Sequence, residues 1–183
     1  MNKTFLALSI LMFQATGIFC QEQMSVEKFN QIASASGDNT PLVGKLATFP
    51  FWTKEEVSIF VNYESGTTSK EDVIQTAKTI NGKYIVFTNQ IQFIKQSMTS
   101  IVIYDEKTSA FKILAVSGNT IVQRTVVLDD GKKTYKISSS FDDGLTETGD
   151  GSYSDKQIYE KTCCYKNGVL FMTREVKSMP IEK

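Results

Sequence analysis

Five short runs of β-branched and aromatic residues occupy the stretch from Lys83 to Ser140. They are Lys83–Phe87, Ser100–Tyr104, Phe111–Val116, Thr120–Leu128 and Thr134–Ser138. Asn81-Gly82, Asp105–Thr108, Ser117-Gly118-Asn119 and Asp129–Lys132 lie before or between them, and all are turn-forming residues. Connections this short join neighbouring antiparallel strands. The pattern predicts an up-and-down meander, which must pair or close its edges to avoid leaving open ladders.

The chain opens with a polar, basic start at Asn2-Lys3-Thr4, an apolar core from Phe5 to Phe13 and small residues at Ala15, Thr16 and Gly17. That core is far shorter than the roughly 20 apolar residues of a spanning helix, so residues 1–20 read as a cleaved signal peptide. A lipid anchor on Cys20 is disfavoured because the bulky Phe19 precedes it. The expected location is secreted or periplasmic. Residues 21–41 read as a helix and linker, and 42–183 as one β domain of a size able to form a core without cross-links. Lysine plus arginine and aspartate plus glutamate each number 20, so neither nucleic acid nor a charged membrane surface is implied as a partner. No later segment is apolar for long enough to predict a membrane span.

Within the linker region, Val26, Phe29, Ile32 and Ala33 share a helical face, with Ser25 as N-cap, suiting a short helix across one end of a barrel. From Glu55 to Tyr63, Val57, Ile59, Val61 and Tyr63 alternate with polar residues and are expected to face inward, leaving Phe60 as the exception. From Lys83 the inward set is Ile85, Phe87, Ile91 and Phe93, with Asn89 among them. Phe141–Ser152 is the longest turn-rich stretch. A last hairpin is expected around Asn167-Gly168, flanked by Gln157–Tyr165 and Val169–Lys177. About eight to ten strands with one short helix, no repeat and no β-α alternation predict a mainly β fold, a single antiparallel up-and-down barrel.

Leu42-Val43-Gly44, Asn81–Ile85, the strand ending Tyr104-Asp105, the strand opening at Phe111 and the hairpin bearing Thr134-Tyr135-Lys136 are together similar to secreted, lipocalin-like (calycin) β-barrel proteins of bacteria, grouped as a domain of unknown function. The resemblance covers about Leu42 to Arg174 and implies a barrel with a cavity; it supplies no activity. That family usually carries a tryptophan two places after the first glycine, where this chain has Leu46. Trp52 is the available substitute. Arg174 is the candidate for the late-strand arginine that stacks on such a tryptophan.

There is no histidine. Ser-His-Asp and Cys-His nucleophiles, His-ligated zinc and His-ligated haem are therefore excluded. No phosphate-cradling glycine motif is present, and no cofactor is expected. Cys163 and Cys164 are adjacent, so on a strand one faces in and one out; the alternatives are two free thiols, a strained vicinal disulfide or intermolecular pairing. Asp142, Asp143, Glu147, Asp150 and Asp155 crowd one expected loop, which reads as a solvated acidic turn ahead of a weak calcium site or an acid/base pair.

The remaining candidates lie on the face expected to point inward. Asn89 is either a bulge or satisfied core residue, or a contact for a ligand, because an unpartnered buried amide is costly. Tyr63, Phe87, Phe111 and Tyr135 are either core or pocket lining. Two non-catalytic readings follow: a container for a small apolar or amphipathic ligand touching Tyr63, Phe87, Asn89, Phe111 and Tyr135, or a solidly packed module that meets a protein partner through Phe49–Trp52.

Overall fold

The computed structural model describes residues 24–38, 40–50, 53–91 and 96–180. The expected signal peptide, Phe51, Trp52 and Phe93 lie outside the described residues. The strands are β1 (Thr53–Asn62), β2 (Thr67–Ile80), β3 (Tyr84–Ile91), β4 (Gln96–Asp105) and β5 (Ala110–Ser117). They continue as β6 (Thr120–Asp129), β7 (Thr134–Phe141), β8 (Thr146–Tyr153), β9 (Ile158–Lys166) and β10 (Val169–Pro180). Each strand pairs antiparallel with the next, and β1 pairs with β10, so the sheet is a closed up-and-down barrel. Closure removes the two edges that a ten-strand meander would otherwise expose.

Turn chemistry accounts for the local reversals. At the β9–β10 turn Asn167 and Gly168 both have positive φ, 52° and 79°, the combination a two-residue hairpin of this twist requires. Strand β2 begins at Thr67, directly after Gly66, whose φ of 66° turns the chain out of β1.

The turn-rich stretch Phe141–Ser152 is the largest departure from expectation, because its second half is strand β8. The two glycines of β8, Gly149 and Gly151, serve close packing. A Cβ on Gly151 would lie 2.0 Å from Cζ of Tyr135, and one on Gly149 would lie 2.2 Å from the Lys161 carbonyl oxygen. Strand propensity is low at both positions, and the packing of β7 and β9 against them overrides it.

Helix α1 (Val26–Ser34) is capped by Ser25, whose Oγ accepts from the Lys28 N–H at 3.1 Å. It buries Phe29 and Ile32 against Ile80, Val86 and Ile101, on the outer wall of the barrel rather than across its end. Lys78 Nζ donates to the carbonyls of Ala33 and Ala35, satisfying acceptors that the helix C-terminus leaves open. The barrel end is instead filled by a short 3₁₀ turn, Gly44–Thr48, and the residue after it. Leu46 and Phe49 are buried there with Ile85, Phe87, Val102, Phe111 and Tyr135. The rings of Phe49 and Phe111 are 4.8 Å apart. Outside this plug, Lys45 pairs with Asp130 at 3.3 Å, and Asp130 accepts from the Tyr153 hydroxyl at 2.8 Å.

Candidate functional site

Ten strands enclose a wider interior than the eight that side chains can just fill. Beyond the Leu46–Phe49 plug the barrel holds a cavity of about 340 Å³. Its apolar wall includes Phe60, Val73, Phe87, Met98, Ile113, Val122, Phe141 and Met172. Across this wall runs a belt of inward-facing charged and hydroxyl side chains from β1, β2, β6, β7, β8, β9 and β10.

Two arginines organise the belt. Arg124 on β6 meets Glu147 on β8 at 2.7 Å, and Arg174 on β10 meets Glu56 on β1 at 2.6 Å. Glu160 on β9 lies between them, 3.5 Å from each guanidinium. Hydroxyls complete the set: Ser139 and Thr162 donate to Glu147 at 2.8 and 2.7 Å, and Ser58 donates to Glu56 at 2.9 Å. Gln75 donates to the other oxygen of Glu56 at 3.2 Å. Buried charges of this kind persist only when paired and hydrogen-bonded.

The three carboxyls are not equivalent. Burial works against ionising Glu147, but Arg124, Arg174 and the Thr162 and Ser139 hydroxyls outweigh it and hold its pKa down at about 2. Glu160 is the reverse: burial is its strongest influence, the arginines do not overcome it, and its pKa is raised. Burial also raises the Tyr135 phenol, whose hydroxyl lies 3.5 Å from Glu160 Oε2. The Cys164 thiol, 4.0 Å from Glu147, is pushed up to about 11 by burial and that neighbouring charge. It is therefore a protonated, unreactive thiol. Cys163 points to the outer face, and neither cysteine is in a disulfide.

Of the residues expected to touch a ligand, Phe87 and Asn89 line the cavity. Phe111 is buried in the plug beneath it, and Tyr135 is buried where plug and belt meet. Tyr63 is corrected: it is 56% exposed, just beyond β1, with its hydroxyl 3.4 Å from Thr173 Oγ1. The inward parity of β1 is Glu56, Ser58 and Phe60, one residue out of phase with the aliphatic set, so Ile59 is exposed and Phe60 faces the cavity. Asn89 is no bulge, because its register with Gln75 and Met98 is uninterrupted. Nor is it a satisfied core amide, since its Oδ1 is buried without a hydrogen-bond partner.

The acidic loop dissolves into separate roles. Glu147 is inside the barrel, Asp142 and Asp143 accept from the Ile121 and Leu145 N–H groups, and Asp150 faces outward near Lys136 and Lys161. Among the described residues no three histidine, cysteine or carboxylate side chains are placed to hold a metal ion. Arg174 lies over the Phe60 ring, 5.4 Å from its centroid, and Leu46 is buried in the plug.

Of the belt, the sequence singled out only Arg174, as a stacking partner for tryptophan, and Glu147, as part of a solvated acidic turn. The belt's signal was the rarity of arginine: the chain has only two, against 18 lysines, and Arg124 sits within a valine-rich strand. Arginine is the cation suited to buried, forked pairing. A comparison with protein-family models returns no match for this chain, and a comparison with curated proteins returns none either.

Proposed function

We propose that this protein is a secreted, lipocalin-like container that binds a small amphipathic molecule inside its barrel and does no chemistry on it. The observation that carries this reading is the cavity of about 340 Å³, walled by apolar side chains and crossed by one polar belt. Pockets for small molecules are typically about 300–1,000 Å³, mostly apolar, with a few convergent polar groups that orient the occupant. A solidly packed barrel meeting a partner through Phe49–Trp52 is less favoured, because Phe49 is taken up inside the plug.

Native mass spectrometry of protein isolated without denaturation, compared with the same protein after unfolding and refolding, tests the proposal. The expected result is a small-molecule mass excess that unfolding removes, and saturable calorimetric binding of an eight-carbon amphiphile by the refolded protein. If neither is observed, the container reading is wrong.

A further inference from the structure

We infer that the polar end of the occupant is an uncharged group that both donates and accepts a hydrogen bond, an alcohol or a primary amide on a short apolar chain. This rests on the container reading and adds the chemistry of the head group. Each guanidinium of the belt already has a close carboxylate: Arg124 is met by Glu147 at 2.7 Å and Arg174 by Glu56 at 2.6 Å. Glu160, the third carboxyl, sits 3.5 Å from both arginines, and its raised pKa makes it the member that most readily keeps a proton. A carboxylate would find both guanidiniums already paired, and an ammonium would find in Glu160 a carboxyl whose burial favours its neutral form, so either would lose its hydration without a ready counter-charge. Glu71 also borders the cavity, but it is only partly buried, so solvent screens its charge.

Among the described residues, two buried polar atoms around the cavity lack partners, one needing a hydrogen-bond acceptor and the other a donor. Arg174 Nε and Asn89 Oδ1 are buried without a partner, and both side chains line the cavity. Asn89 is only 8% exposed. Buried polar atoms are ordinarily satisfied, so an unmatched donor and an unmatched acceptor around one void describe an absent group that carries both functions. A hydroxyl or amide does. The cavity volume equals that of about eleven waters at liquid density, enough for an occupant of roughly ten non-hydrogen atoms.

Isothermal titration calorimetry near neutral pH with octan-1-ol, octanamide, octanoate and octylammonium tests the inference on the wild-type protein and on Asn89→Leu. The alcohol and amide are expected to bind at least roughly tenfold more tightly than either charged analogue. Asn89→Leu is expected to weaken amide binding by roughly tenfold while raising the melting temperature of the unliganded protein, since it removes an unsatisfied buried group. If octanoate or octylammonium binds best, or if Asn89→Leu keeps full affinity for octanamide, the head-group assignment is overturned and the container reading survives. If none of the four compounds binds, the head-group assignment is overturned, and the container reading falls with it when the isolated protein also carries no small-molecule mass excess.

Discussion

Arg174 and Glu56 stand 118 residues apart in sequence and meet at 2.6 Å across the β1–β10 seam, where the last strand closes the barrel onto the first. The contact is largely buried, with Ser58 Oγ 3.1 Å from the same guanidinium nitrogen. It ties barrel closure to the geometry of the cavity wall.

Removing one member of that pair leaves the other charge poorly compensated. Glu56→Ala is expected to cost about 3 kcal/mol, the lower end for a broken buried pair because Arg174 keeps Glu160 at 3.5 Å. Replacing both, as Glu56→Leu with Arg174→Met, should recover most of the loss. Urea unfolding of the two single variants and the double variant measures the coupling. Additive losses would show that the pair does not act as a unit.

Glu147 and Glu160 predict opposite pH dependences. The Glu147 pKa is about 2 folded, against 4.5 for the free side chain, so the stability it contributes is present above pH 4.5 and lost as pH falls towards 2. The difference corresponds to about 3 kcal/mol. Glu147→Gln should therefore be destabilised at neutral pH and show a flatter stability curve between pH 4.5 and 2.

Glu160 has a raised folded pKa, so its contribution is present below pH 4.5 and lost as pH rises through the folded value. Glu160→Gln should be at least as stable as wild type at pH 8 and lose less stability on going from pH 4.5 to 8. Chemical denaturation across the pH range checks both variants. Parallel curves for the two would contradict the assignment.

Gly151 and the Tyr135 ring occupy one space. Gly151→Ala would place a Cβ 2.0 Å from Tyr135 Cζ and is expected to destabilise by about 3 kcal/mol through overpacking. Tyr135→Leu in the same chain should return part of that loss. At Gly149 the obstacle is the Lys161 backbone oxygen, so no side-chain change should rescue Gly149→Ala. Thermal melts of the single and double variants separate the two cases.

Lys78 secures α1 to the outer wall through the Ala33 and Ala35 carbonyls. Lys78→Met should weaken the docking of α1 by about 1.5–3 kcal/mol, the range for hydrogen bonds to a charged donor. Hydrogen exchange should accelerate at residues 26–34 while β6–β9 keep their protection. Equal acceleration throughout would mean that helix and barrel unfold as one unit.

The strand order was legible because it is local information. Turns such as Asn81-Gly82 and Asn167-Gly168 announce hairpins, and consecutive hairpins leave only closure to be decided. The Ser25 cap and the Phe29–Ile32 stripe of α1 were equally readable, although the outer-wall surface they cover was not. Asn89 stood out because an amide interrupted an apolar period. Glu56, Arg124, Glu147 and Glu160 did not, because a carboxylate or guanidinium on a strand reads as solvent-facing until its partner is known.

By itself, the sequence determined a mainly β meander and placed Phe87, Asn89, Phe111 and Tyr135 on the inner side, because alternation and turn residues act over a few positions. Only the tertiary structure decided the parity of β1, the strand character of Thr146–Tyr153 and the exposure of Tyr63. Each of these depends on a partner distant in the chain: Arg174 draws Glu56 inward, Tyr135 fills the space that Gly151 leaves open, and β10 closes the ring beside β1. Pairing energies between remote strands outweigh a one-residue preference in hydrophobic phase, and the last strand must be in place before those pairings exist.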